Sequence, residues 1–166
     1  MSDVNKRDIR VGVFVDVANI HAAATEQMSG KLDYEKLMSH ILGNKYKLFR
    51  AIAYAVKFSD DIENWIHTIE GFGYEVRSKE PTELPDGKRK ANWDVDLCLD
   101  VVEMIDLIDM VIIVSGDGDF VRLVNWCQHK GRIVKVYGVK GSVNRTLSEV
   151  CNQFVSIGPD FLLQEK

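Results

Sequence analysis

Cysteine is scarce in this chain of 166 residues: there are three, Cys98, Cys127 and Cys151, widely spaced and without a Cys-x-x-Cys pair. That excludes a dithiol redox centre and argues against a disulfide-built scaffold, so the thiols read as reduced, small apolar residues of a core. Only His129 lies within helical reach of a cysteine, Cys127, which is too little to make a zinc site. Uncharged apolar runs are short; Met110 to Gly116, bounded by Asp109 and Asp117, is typical, and a bilayer span needs roughly 20 residues. The N-terminus, Met1 to Asp8, lacks the basic-then-apolar order of a secretory signal, and a cytoplasmic protein with no membrane partner is expected. A basic surplus is missing too. With 21 Lys plus Arg against 25 Asp plus Glu the formal charge is -4, so any contact with nucleic acid must be local.

What is present is the composition of one compact domain over residues 1–166, with 46% hydrophobic and 28% charged residues and no internal repeat or long linker. Val11-Gly12-Val13-Phe14-Val15 is an apolar run of the kind made by a strand buried on both faces. Helix-length sequence follows, then a second run from Phe49 to Val56. The alternation continues: a helix from Asp61 to Gly71 and a strand from Tyr74 to Arg77; a helix from Trp93 to Asp106 and a strand from Met110 to Val114; a helix from Phe120 to His129 and a strand from Ile133 to Tyr137. A short helix near Asn144 to Val150 and a strand near Phe154 to Ile157 complete it, and Lys79 to Lys90 reads as a loop within the domain. Such order predicts an α/β fold, a three-layer α/β/α sandwich with a mostly parallel, Rossmann-like central sheet. Its working site belongs at the carboxyl ends of the strands, where the strand order reverses.

The polar residues that follow the apolar runs are mostly aspartates. The first strand ends in Asp16, with Asn19 close behind; the fourth ends in Ser115-Gly116-Asp117-Gly118-Asp119-Phe120. On a helical wheel of about 100° per residue, Leu97, Cys98, Val101 and Ile105 fall within about 60° of Asp94, which places that carboxylate on the sheet-facing stripe. Asp96, Asp100 and Glu103 then form the solvent face. Each acid alone has a structural reading, Asp117 as a helix N-cap and Asp94 or Asp119 as a first-turn partner of the helix dipole. Converging at one edge, Asp16, Asp94, Asp117 and Asp119 repel one another unless a cation lies between them. All-oxygen ligands favour Mg²⁺ or Mn²⁺ over zinc, no EF-hand loop speaks for calcium, and Mg²⁺ prefers carboxylates together with substrate phosphates.

Phe14 to Asn19, Lys90 to Asp100 and Val114 to Phe120 together resemble the three signature segments of NYN domains, PIN-like proteins of the LabA-like group, and the resemblance runs from about residue 10 to residue 157. It implies a PIN-like α/β sandwich whose acidic cluster holds Mg²⁺ or Mn²⁺ and hydrolyses RNA phosphodiesters. By motif position Asp16, Asp94 and Asp117 are the implied metal-binding carboxylates and Asp119 is near the metal or its water, all four catalytic, while Asn19 orients a ligand. The lysine of a Lys-Gly pair frequent in such proteins is kept as Lys90, and its glycine is not. Asp100 also matches an acid common in the family, although the wheel turns it away from Asp94.

For the polymer itself, Val121 to Ser148 carries Arg122, Lys130, Arg132, Lys135, Lys140 and Arg145 and no acid, and Lys88, Arg89 and Lys90 precede Asp94. These are candidate phosphate contacts or ordinary solvated positions. Ser115, Lys90, Arg122 and Arg145 join Asn19 as candidate substrate-binding residues. Trp93 and Tyr137 read as core aromatics, with stacking on unpaired bases of single-stranded RNA as the alternative. The four histidines form no triad. The leading expectation is a metal-dependent ribonuclease; the rival is a catalytically silent RNA-binding or regulatory module of the same fold, and a homodimer is open. A receiver-like or dehalogenase-like phosphotransferase fits less well, because Asp16-Val17-Ala18 offers neither an acidic pair nor Asp-x-Asp. A nucleotide-binding Rossmann domain fits least, since Asp117 and Asp119 stand where phosphates would sit.

Overall fold

The computed structural model describes residues 8–57 and 59–165. The reading of Met1 to Arg7 therefore lies outside the described residues. Eight strands and six helices follow one another as β1 (Ile9–Asp16), α1 (Val17–Met28), α2 (Tyr34–Leu42), β2 (Tyr46–Val56), α3 (Ile62–Glu70), β3 (Glu75–Lys79), β4 (Thr82–Glu83), β5 (Arg89–Lys90), α4 (Asp94–Met104), β6 (Met110–Val114), α5 (Val121–His129), β7 (Ile133–Val139), α6 (Arg145–Val150) and β8 (Gln153–Ile157) among the described residues. Six of the strands form one sheet in the order β3-β2-β1-β6-β7-β8, and each neighbouring pair is parallel. No helix among the described residues is long and apolar enough to cross a membrane.

Strand order explains where a site forms. The chain builds outward from β1 through β2 to β3, then returns to the other side of β1 and builds outward again from β6 to β8. The crossover connections therefore diverge between β1 and β6, and the gap they leave lies at the carboxyl ends of those two strands. β1 runs alongside β6 from Val11 opposite Met110 to Val15 opposite Val114. Asp16 is the next residue on one strand and Ser115 the next on the other.

Alternation along β1 assigns the faces. Val11, Val13 and Val15 point into one apolar layer with residues of α1 and α2, including Ile20, Ala24, Leu37 and Ile41. Phe14 points into the opposite layer with Leu97, Val101 and Met104 of α4 and Leu123, Val124 and Cys127 of α5. Asp16 has the parity of Phe14, the face on which α4 lies. Both layers are fully buried at their centres, and burying such aliphatic side chains is worth roughly 1.5–3 kcal/mol each.

Two details differ from the expectation. The helix-length sequence between the first two strands holds two helices, because α1 ends on Ser29 in the left-handed conformation (φ 51°) and α2 restarts on Asp33, whose side chain accepts the Lys36 N–H at 3.0 Å. The expected loop from Lys79 to Lys90 contains a small antiparallel ladder, Thr82 opposite Lys90 and Glu83 opposite Arg89. Two residues per strand are too few to print an alternating pattern on a sequence.

Candidate functional site

The site begins with two main-chain turns that place carboxylates at strand ends. Asp16 closes β1 and caps α1: its Oδ1 accepts the Asn19 N–H at 3.4 Å. Its Oδ2 accepts the hydroxyl of Ser115 at 3.3 Å, and the same Ser115 oxygen accepts the Asp117 N–H at 3.2 Å. Asp117 in turn caps the short 3₁₀ turn Gly118–Phe120 by accepting the Asp119 N–H at 2.9 Å. The cap reading of Asp117 thus holds.

Asn19 ties the two strand ends together, its Oδ1 accepting the Gly116 N–H at 2.9 Å. Gly116 has no room for a side chain: a Cβ there would lie 2.5 Å from the carbonyl oxygen of Ser142. This close approach brings the loop after β7 against the loop after β6, where Gly116 O also accepts the Asn144 N–H at 2.9 Å.

Asp94 arrives from the α4 side. The residues before it are held by a set of contacts around Trp93, whose indole N–H donates to the Ala55 carbonyl at 2.9 Å and whose ring lies 4.2 Å beneath the Lys79 ammonium. Lys79 also donates to the Asn92 carbonyl, and Asn92 Oδ1 accepts the Asp94 N–H at 2.6 Å. Trp93 is therefore a packing residue that orients the start of α4. Tyr137 is buried in the core, its hydroxyl 3.0 Å from His40 Nδ1, whereas Trp93 is half-buried and packs against the edge of the other apolar layer.

One carboxylate oxygen from each of Asp16, Asp94 and Asp117 lies within 4.8 Å of the others. Three segments far apart in the sequence thus deliver a hard-oxygen triad that could hold a metal ion. The electrostatics match that reading. Burial, joined by the charges of Asp94 and Asp117, pushes the Asp16 carboxyl up to about 6. Burial and then the charge of Asp117 raise Asp94 also, with a smaller contribution from Asp119. Asp119 itself is exposed and outside the triad.

The remaining candidates separate into groups. Ser115, expected as a substrate contact, is fully buried and holds Asp16 and Asp117 in register. Arg122 and Arg145 are exposed, Arg145 in a surface pair with Glu149 at 2.8 Å. The backbone of Lys90 lies in β5, and its side chain lies outside the described residues. Within the basic segment, Arg132 donates to the Ile105 carbonyl, Lys135 donates to the Tyr46 hydroxyl and Lys130 lies over the Trp126 ring, so these three have structural partners.

Asp100 requires a correction. It was placed on the solvent face of α4, yet it is buried, accepting the Tyr54 hydroxyl at 2.6 Å and the Arg77 guanidinium at 2.8 Å. The wheel took Asp94 as its origin, whereas the buried stripe is centred on Leu97 and Met104, about 70° from Asp94 and about 50° from Asp100 on the other side. Both acids therefore flank the stripe. A count centred on the apolar residues would have found the second one.

Comparison with known proteins agrees with this geometry. The family model described as NYN domain matches residues 10–158. The low amplitude and bright protein LabA of Synechococcus elongatus is 24% identical over 160 residues, which are 91% of this chain and 85% of LabA. A crystal structure of a Vibrio parahaemolyticus protein of unknown function superposes with a TM-score of 0.86 at 33% identity, covering 98% of this chain and 99% of the other.

Proposed function

The chain belongs to the NYN domain family, and from that premise we propose that it is a metal-dependent ribonuclease hydrolysing RNA phosphodiester bonds at the carboxyl edge of its sheet. The observation that carries the reading is the convergence of Asp16, Asp94 and Asp117 within 4.8 Å. Three like charges so close, one of them buried, cost stability in the absence of a counter-ion, and such a cost is typical of a site kept for chemistry.

In this reading the three aspartates hold Mg²⁺ or Mn²⁺ through hard oxygen ligands. The ion, when bound, supplies Lewis acidity at the phosphoryl oxygens and a water of lowered pKa. The chain's own residues do the rest. Ser115 and Asn19 keep the carboxylates of β1 and the loop after β6 at a constant separation, as outer partners of a metal site do. Asp119, exposed one step beyond Asp117, accepts a hydrogen bond from the attacking water and so orients it for in-line attack. Arg122 and Arg145, both exposed, neutralise phosphates of the bound polymer. The surface pair of Arg145 with Glu149 is worth little to the fold, so Arg145 exchanges Glu149 for a phosphate at small cost.

Cleavage of labelled single-stranded RNA and DNA in Mn²⁺, Mg²⁺ or EDTA tests the proposal, with the wild type compared to Asp16→Asn and Asp117→Asn. The expected result is a metal-dependent cut of RNA lost in both variants. Equal behaviour of wild type and variants would overturn it and leave the silent RNA-binding module as the better reading.

A further inference from the structure

A cavity of about 400 Å³, a size at which small-molecule sites are common, opens on the α1 side of the sheet, lined by the chain neighbour of Asp16 and by none of the three carboxylates. Its position follows from the topology. Val17, the residue after Asp16, forms one wall, and His21, one helical turn further along α1, shares that face. The opposite wall is the end of β2, where Ala55 follows Tyr54, the residue paired with Asp16 across the sheet. Trp65 and Ile62 of α3 and the exposed Leu163 supply further apolar surface. Trp65 is braced by the Tyr34 ring, edge-on at 5.5 Å and 80°. Lys31, His21, Ser59 and Asp61, all exposed, are polar residues of the lining.

We infer that this cavity receives one unpaired nucleobase of the substrate, next to the phosphodiester held at the carboxylates. The inference rests on the ribonuclease reading for the identity of the polymer. Chemically, an occupant must join a phosphate, which the acidic edge with its ion would take, to a body with apolar faces and a polar rim, which the cavity would take. A nucleotide has both parts within one residue. An aromatic side chain and aliphatic walls suit the π-face of any base, and stacking of this kind tolerates sequence differences. Lys31 and His21 at the polar part of the lining suit the sugar-phosphate entering it. The same chemistry is offered by a free nucleoside monophosphate, and the test separates the two sources.

Binding is measured with Ca²⁺ in place of Mg²⁺ and Mn²⁺, so that the carboxylates are neutralised, and with the RNA verified intact afterwards, using a ten-nucleotide single-stranded RNA, the same RNA with an abasic residue at each position in turn, and the four nucleoside monophosphates. The proteins are wild type, Trp65→Ala and, because Trp65 also packs against the core, Leu163→Glu at an exposed lining position. One abasic position is expected to weaken wild-type binding roughly tenfold or more, in line with loss of one base–aromatic stack. Trp65→Ala and Leu163→Glu are expected to weaken the intact RNA similarly and to flatten the abasic profile, which a general folding defect would not do. Monophosphates that bind with the same dependence on Trp65, while RNA does not, would overturn the assignment to the polymer and give the cavity to a free nucleotide. A flat abasic profile in the wild type, or RNA binding unchanged by both substitutions, would overturn the inference even if metal-dependent cleavage is present. Trp65-dependent binding without any cleavage would keep the cavity and remove the nuclease reading.

Discussion

The side-chain oxygen of Asn19 accepts the backbone N–H of Gly116 at 2.9 Å, so the first turn of α1 and the loop after β6 move as one piece. Asp16 precedes one partner by three residues and Asp117 follows the other by one. The distance between two of the three clustered carboxylates is therefore set by a residue that carries no charge.

Replacing Asn19 by Ala removes that acceptor and leaves a partly buried N–H without it, which costs about 1–2 kcal/mol. Metal affinity is expected to fall more than stability does, by about tenfold to a hundredfold, as for outer partners of metal sites. Isothermal titration with Mn²⁺ alongside thermal denaturation reads both quantities. Equal metal affinity in wild type and Asn19→Ala would show that the carboxylates are held by other means.

The triad predicts a gain of stability on losing one of its carboxylates. Asp117→Asn or Asp94→Asn removes one of three mutually repelling charges, and in EDTA at neutral pH each variant is expected to melt a few degrees higher, corresponding to about 1 kcal/mol. Added Mn²⁺ is expected to raise the melting temperature of the wild type and not of the variants. A wild type that melts above both variants in EDTA would mean that the repulsion is already neutralised within the protein.

Asp16 gives the pH dependence. Its carboxyl, ordinarily near 3.8, is pushed up to about 6 in the fold, first by burial. Between those values the folded protein binds more protons at this position than the unfolded chain, so its contribution to stability falls as pH rises and levels off above about 6. The full difference amounts to about 3 kcal/mol. Denaturation in EDTA at pH 4.5 and pH 7.5 is expected to show this decline, and Asp16→Asn is expected to abolish it. Metal binding runs the opposite way, because the ion needs the ionised carboxylate, and Mn²⁺ affinity should rise through pH 6.

At Gly116, substitution by Ala forces a methyl group to within 2.5 Å of the Ser142 carbonyl oxygen. Backbone must shift, at a cost of about 1–3 kcal/mol, and the shift lies beside Asp117. Lower melting temperature together with loss of Mn²⁺ binding is the expected pair of changes. Gly116→Ala with native metal affinity would contradict the close approach.

Asp100 is expected to matter for folding more than its charge suggests. Asp100→Ala leaves the Tyr54 hydroxyl buried without its acceptor and separates Arg77 from its partner. Since Arg77 is 41% exposed and regains water, the cost falls at the lower end for buried pairs, about 2–3 kcal/mol. Tyr54→Phe, which removes only one hydrogen bond, should cost about 1 kcal/mol, and urea denaturation of the two variants orders them.

Much of this was legible in the sequence, for reasons that also mark where legibility stopped. The strands buried on both faces print unbroken apolar runs, as Val11 to Val15 and Met110 to Val114 do, and a parallel sheet directs attention to the residues just past them. That simple rule located Asp16 and Asp117, and helical periodicity located Asp94. What escaped depends on contacts between segments far apart in the chain. Ser115 and Asn19 sit in the right motifs, but that one is a buried brace and the other a clasp between strands follows only from the pairing of β1 with β6. The inward turn of Asp100 was lost to the choice of origin on the wheel, although the apolar residues needed to find it were present. The β4–β5 ladder and the cavity beside Val17 arise from short or sequence-distant pieces that share no local pattern.

The strand order has a consequence for the life of the chain. β1 is made first but occupies the centre of the sheet, flanked by β2 on one side and on the other by β6, which begins about a hundred residues later. During synthesis Asp16 must wait for Asp117, so the carboxylate cluster is assembled only after about a hundred further residues have been made. A chain interrupted before β6 therefore lacks the three-carboxylate arrangement altogether, and the topology itself delays any chemistry of that cluster until both halves of the sheet have met.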